Sequence, residues 1–532
     1  MTTRRSSHDQ DLDAALRAQA RIEESDLTWA HESALNAATA GLETEPEAEP
    51  AGRTLGQQVK SSLGWSFVSS IGSRSLTLLS GIVLARILTP KDFGVFAIAL
   101  VALNLVTSLN DVGLAATLIR WPGEVDEVAP TATTLVFGLS VVVYVAFYLA
   151  APWFCREMHT PEATGVLRLL VLTVVINGID AVPGALLTRS FRQDRRTIAD
   201  LVGSVLSIGL SIALALAGEG AWSLAWGRLF GNMVNSSLVI RFSLKRYWPG
   251  FHRDAARRLL AYGVPLAGST LLSVAVLNVD YVIVGRTLGT IALGFYLLAF
   301  NISSWPINFF SVAIQQVSIA GFAKLQDDRA KLHSGFIRSM TLLAVLTVPI
   351  CVLMSALGHS LVEVVYGAKW TAAAGALQFL ALLALIRVGQ NLAFDALIAV
   401  GKARATVWLQ CGWLVILIPT LLAGAHIDGI RGVAIGQILV GVSVVIPLYL
   451  VALSQIGIGL KELGKHLVWP VIGGGAAAMV GGLIAHSISG DLMALAVGGI
   501  AGLAVYCAFL LPMRRTLFLT KAPAAVSGSQ VA

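Results

Sequence analysis

With 532 residues, 56% of them apolar and only 13% charged, and a mean hydropathy of +0.75, the chain carries more apolar side chain than a water-soluble fold of its length can hide. It is read as an integral membrane protein. Its net charge of +7 comes mostly from Lys and Arg gathered in loops, where topology alone accounts for them, so the charge is no argument for nucleic acid as a partner.

Residues 1–55 mix acidic and basic side chains and run into an Ala/Glu/Pro stretch ending at Pro50. So little apolar surface cannot offset the entropy of ordering, and a disordered tail is expected; the alternative is an amphipathic helix from Asp11 to Leu27. Met1 to Glu49 holds no apolar core of the signal-peptide kind, so the first span is expected to direct insertion itself.

From Ser62 the sequence breaks into about fourteen apolar runs, each near the twenty residues a helix needs to cross hydrocarbon. They are expected at 62–84, 93–118, 131–151, 165–187, 198–217, 221–240, 259–284, 292–316, 336–356, 372–400, 404–424, 430–453, 467–487 and 491–511. Basic residues gather in alternate loops, among them Arg189, Arg192, Arg195 and Arg196, then Arg241 to Arg258, and later Lys461, Lys465, Arg514 and Arg515. The opposite loops hold little beyond Lys91, Arg156, Lys369 and Arg431. Positive charge marks the cytoplasmic side, which puts both termini inside.

The run from Gly81 to Ala97 recurs two hundred residues later, from Tyr281 to Leu297. Arg86 falls on Arg286, Leu88 on Leu288, Gly94 on Gly294, Phe96 on Tyr296 and Ala99 on Ala299. A second pair, Gly220 to Gly227 and Gly429 to Gly436, enters the sixth and twelfth spans. Such a repeat predicts an all-α membrane protein of two six-helix lobes in parallel, at 56–240 and 259–453. A basic linker at 241–258 joins them, a Gly/Ala-rich helix pair at 454–515 follows, and 516–532 is a cytoplasmic tail.

On these motifs the chain resembles the polysaccharide-transporter branch (Wzx-type oligosaccharide flippases) of the multidrug/oligosaccharidyl-lipid/polysaccharide superfamily. Within that branch it is most similar to the lipopolysaccharide and teichuronic-acid exporter-like group. The resemblance implies a secondary transporter that moves polyprenyl-pyrophosphate-linked glycans from the inner to the outer leaflet of the cytoplasmic membrane by alternating access. It implies partners in the lipid-linked oligosaccharide, membrane lipids, and the glycosyltransferases and polymerase of the same assembly route.

Ionisable groups inside spans are costly and are therefore functional candidates. Arg74, Arg86, Arg286, Arg228 and Arg387 are the expected lining of a cationic cavity, because guanidinium offers phosphate a forked donor set and stays charged when desolvated. For Arg86 and Arg286 the alternative is that they bind helix C-terminal carbonyls and fix the turn. Asp111, Asp180, Asp280 and Asp395 are candidates for ion pairing or ion coupling. Asn104 and Asn110 of the second span, Asn301 and Asn308 of the eighth, which holds the matching position in the other lobe, and Gln390 beside Asn391 suit sugar hydroxyls in a wet cavity or hydrogen bonds between helices.

No cofactor is expected. The run from Gly459 to His466 has phosphate-loop spacing but ends in His466 where a Ser or Thr hydroxyl should hold magnesium. Cys155, Cys351, Cys411 and Cys507 lie far apart without ligand spacing and are expected to be inert thiols, with no metal site. A membrane glycosyltransferase, polymerase or ligase is the alternative of another class, but only Arg156 to Arg168 and His359 to Lys369 offer more than a turn outside the membrane. A drug exporter of the same superfamily would favour a carboxylate and aromatics over arginine.

Overall fold

In hydrocarbon every backbone N–H and C=O needs a partner within the protein, and the described residues meet that demand with helices, no strand among them. The computed structural model describes residues 74–110, 125–190, 192–243, 247–308, 329–400 and 403–511, with Gly72, Leu118 and Lys245. The expected tails at 1–55 and 516–532 lie outside these residues, as does Asp111.

The helical residues 74–87 (α1) lead into α2 (Pro90–Asn110), α3 (Val125–Glu157), α4 (Ala163–Arg189), α5 (Gln193–Leu216) and α6 (Ala221–Phe242). Then come α7 (Arg253–Leu288), α8 (Thr290–Ser303), α9 (Arg329–Ala356), the short α10 (Gly358–Tyr366) and α11 (Ala372–Ala399). The chain ends in α12 (Ala403–Val440), α13 (Ile446–Ser454), α14 (Leu460–Ser487) and α15 (Asp491–Leu510). Nine stretches among the described residues are long and apolar enough to cross a membrane.

Two junctions are tighter than the sequence reading drew them. Expected spans eleven and twelve are separated where the sequence breaks, by a turn inside α12 at Asp428 (φ −142°) and Gly429 (φ 57°), the second a left-handed conformation that glycine adopts at little cost. The basic segment 241–258 is also only partly linker, because α7 already begins at Arg253. Arg253, Arg257 and Arg258 therefore belong to the first turns of that helix.

The outward faces are apolar, with Leu216, Val415 and Ile500 each 71 to 72% exposed, as lipid contact requires. Because lipid is as apolar as leucine, helices associate here through close packing and hydrogen bonds. Glycines bring α14 and α15 together: a Cβ at Gly481 or Gly498 would lie 2.9 or 2.7 Å from the other's carbonyl oxygen. In-span hydroxyls at Ser140, Thr341 and Thr347 are satisfied by the carbonyl one turn back.

Candidate functional site

The two copies of the repeated motif meet. At the start of α2 and of α8 the backbones cross so closely that a Cβ on Gly94 would lie 1.9 Å from the Thr290 carbonyl oxygen, and one on Gly294 would lie 1.9 Å from that of Pro90. Thr290 corresponds to Pro90 in the repeat, so the contact is reciprocal. Around it the end of the molecule is sealed by main-chain carbonyls. Arg86 donates from Nε to the Val365 oxygen (2.8 Å) and from its terminal nitrogen to that of Val364, both in the last turn of α10. Lys369 Nζ returns bonds to the carbonyls of Arg86 (2.9 Å) and Leu88 (2.7 Å), and Trp370 Nε1 to that of Ala85 (2.8 Å). The buried Trp370 ring stands edge-on to Phe93 and Phe295 at 5.0 and 5.9 Å. Burial, and then the neighbouring Arg86 guanidinium, hold the Lys369 ammonium below the ordinary lysine range.

One turn beyond the crossing a cavity of about 600 Å³ begins. Its walls keep the repeat register: Ala97, Leu100, Val101 and Asn104 of α2 face Leu297, Phe300, Asn301 and Ser304 in and just after α8. Asn278 and Tyr281 of α7 and Ile307 and Asn308 line it too, with Arg387, Gln390, Asn391 and Phe394 of α11, Gln410 and Trp413 of α12, and Tyr449 of α13. Asn104 Nδ2 donates to Asn278 Oδ1 at 3.0 Å, so the two sides are bridged by an amide pair.

Behind this wall Asp280, 1% exposed, accepts from Gln437 Nε2 (2.7 Å), the Tyr296 hydroxyl (2.9 Å) and the Tyr281 N–H (2.9 Å). Gln437 Oε1 in turn accepts from the Arg387 guanidinium at 3.2 Å, and the Arg387 Cζ lies 4.6 Å from the centre of the Phe300 ring. A buried carboxylate thus positions, through one amide, the single charged side chain that lines the cavity among the described residues.

The sequence candidates therefore separate. Asn104, Asn301, Asn308, Gln390 and Arg387 line the cavity, and Arg74 reaches its edge by donating to the Asn308 carbonyl at 2.5 Å. Arg86 spends its guanidinium at the sealed end, while Arg286 pairs with Glu157 at 3.4 Å on the surface. Arg228 is on an exposed face of α6. Asp180 lies beside Ser236, near Arg196 and Asp200, and Asp395 follows Phe394 on α11 without joining the lining. Asn110 closes α2, with its side chain outside the described set.

Sequence reasoning missed Asn278, Gln437, Trp413 and Tyr449. Gln437 and Asn278 had a usable signal, the first standing directly after Gly436 of the second repeated run and the second two residues before Asp280; Trp413 and Tyr449 are aromatics in apolar runs. The phosphate-loop lookalike is a helix start: Gly459 is extended, Leu460 opens α14, and the His466 ring bonds the Glu462 carbonyl at 2.9 Å.

A multi-pass all-helical membrane protein with an internal polar cavity is the class that this fold and site define. The profile described as "Polysaccharide biosynthesis protein" matches residues 83–375, and the chain belongs to that family. It is 26% identical over 409 residues to the lipopolysaccharide biosynthesis protein WzxC of Escherichia coli (strain K12), covering 76% of this chain and 82% of that one. Its fold is similar to that of the lipid II flippase MurJ in an inward closed conformation (TM-score 0.71, 14% identity, 86% of this chain and 99% of that one). It is also similar to the inward-facing form of a multidrug resistance MATE family transporter (TM-score 0.59, 17% identity, 75% of this chain and 99% of that one).

Proposed function

We propose that the chain is a secondary transporter, not an enzyme, that carries a polyprenyl-pyrophosphate-linked oligosaccharide across the cytoplasmic membrane by alternating access. One observation carries this reading. The amide-lined cavity adjoins a second, apolar slot of about 290 Å³ between α9, α11, α13 and α14, walled by side chains such as Leu343, Leu385, Leu453 and Leu467, and the two share Gln390 and Tyr449. A ligand that suits both is an amphiphile, with a hydroxyl-rich head and a long apolar tail joined near those two residues. Arg387, one turn from Gln390, stands where an anionic link between head and tail would fall.

In this reading α1 to α6 and α7 to α13 are the two rocking lobes, α14 and α15 an appended pair. The sealed end faces outward, a reading supported by the alternation of basic and non-basic loops along the sequence. Glycosyltransferases supply the substrate on the cytoplasmic side and a polymerase receives it outside. Arg74 steadies the cavity edge at Asn308 and adds positive field there.

Vesicles holding the purified chain and a fluorescent polyprenyl-pyrophosphate oligosaccharide test the proposal. Wild type should speed transfer between leaflets, and Arg387→Gln should slow it by about tenfold or more, since a desolvated guanidinium–phosphate pair is among the stronger contacts available. Transfer no faster than in empty vesicles would overturn the assignment. Full transfer by a stably inserted Arg74→Met variant would remove Arg74 from the path.

A further inference from the structure

We infer that Trp413 and Tyr449, with Gln390 and Asn391, form a subsite for an uncharged or N-acetylated pyranose ring that reads the glycan. This subsite is separate from the guanidinium that meets the anionic link. The inference rests on the lipid-linked glycan reading above.

On two residues of the cavity lining a buried donor has no hydrogen-bond partner among the described residues, Trp413 Nε1 and Arg387 Nε, while the Tyr449 hydroxyl stands beside the Gln390 amide. Buried donors are rarely left unpaired because desolvation is costly, so two on one wall mark groups that wait for a partner from outside the chain. The wall is also mixed in the way a sugar requires. A pyranose has a C–H face that packs on an aromatic ring and an edge of hydroxyls that pair with amides, indole N–H and phenol.

Backbone irregularity points to the same wall. The chain makes a π-helical turn at Gly441–Val445, just before α13, and such turns re-aim side chains and recur at functional sites. Tyr449 follows four residues later. The α2 part of the lining carries a single amide, Asn104, among Ala97, Leu100 and Val101. With Arg387 the one charged lining residue among those described, the ring read here is uncharged.

Binding to the full chain in lipid nanodiscs would be measured with farnesyl pyrophosphate and with the same lipid carrying glucose, N-acetylglucosamine or glucuronic acid. A neutral glycosyl lipid should bind about tenfold tighter than the bare lipid. Trp413→Leu should erase that advantage, Trp413→Phe should keep part of it through the ring, and Tyr449→Phe should reduce it. Arg387→Gln should weaken bare and glycosylated lipids alike. An unchanged advantage in both Trp413→Leu and Tyr449→Phe overturns the subsite, as does tightest binding of the glucuronosyl lipid. Equal binding of bare and neutral glycosyl lipids by wild type also overturns it, yet leaves the lipid reading in place. If no lipid binds while free N,N′-diacetylchitobiose binds wild type and not Trp413→Leu, the subsite stands and the lipid reading falls. No binding of any probe overturns both.

Discussion

At the glycine crossing the two copies of the motif do the same thing, whereas one turn further in they do different things. Gly94 and Gly294 each meet the other copy's main chain, through Thr290 and Pro90. In the cavity the same register sets Leu100 against Phe300 and Val101 against Asn301. Behind the wall the divergence is complete: Asp280 corresponds to Ser80, whose hydroxyl bonds locally to Thr77, and Tyr296 corresponds to Phe96, which has no hydroxyl to give. A contact between backbones tolerates only one residue type and so stays symmetric. A wall that meets a ligand is free to differentiate, and here the polar chemistry is concentrated on α7, α8, α11, α12 and α13.

The largest expected effect lies on the differentiated side. Asp280→Ala leaves Gln437, Tyr296 and the Arg387 guanidinium without their common anchor, and removing one member of a buried charged network costs about 3–5 kcal/mol. Thermal unfolding of the detergent-purified variant should fall well below wild type, with Asp280→Asn intermediate because it keeps the shape and loses the charge. If Ser80→Ala cost as much as Asp280→Ala, the contrast between the two copies would be wrong.

Next comes the crossing itself. Gly94→Val would force a branched side chain into a space where even a methyl lies 1.9 Å from a carbonyl oxygen, and overpacking of this kind costs about 1–3 kcal/mol. Gly294→Val should match it, since the contact is reciprocal. Both should lose export at normal membrane level, with a cysteine at Ala97 becoming reactive from the far side. Tolerance of one substitution but not the other would break the symmetry.

These regions were not equally legible. Apolar length set most of the spans, and the repeat register picked out Gly94 and Gly294, because glycine at matching places is a readable requirement. That the two touch was not readable, since a repeat says nothing of which faces meet. Arg86 shows the same gap: its charge was evident in the sequence, but its use on the last carbonyls of α10 depends on residues nearly three hundred positions away. Arg387 and the amides of α2, α8 and α11 were found because polar groups in apolar runs are conspicuous. Trp413 and Tyr449 were not, because an aromatic in a membrane span looks the same whether it faces lipid, a neighbouring helix or a cavity.

The smallest effect expected is at the rim of the sealed end, and it has a direction in pH. Arg86 and Lys369 exchange hydrogen bonds with carbonyls there, but both side chains are largely exposed, so Arg86→Gln should cost no more than about 1 kcal/mol. Burial and the Arg86 charge lower the Lys369 value in the folded protein, so at neutral pH the charged ammonium is a small burden on the folded state. That burden fades as pH rises through the lowered value and is gone by the unfolded lysine value near ~10.4. Wild-type stability should therefore decline less on going alkaline than that of Lys369→Gln, which has no proton to lose at this site. Arg86→Gln removes the second cause of the shift and should narrow the window. Superimposable stability curves between wild type and Lys369→Gln across the alkaline range would mean that the ammonium sits in ordinary solvent, and that the seal is held by the glycine crossing and Trp370 alone.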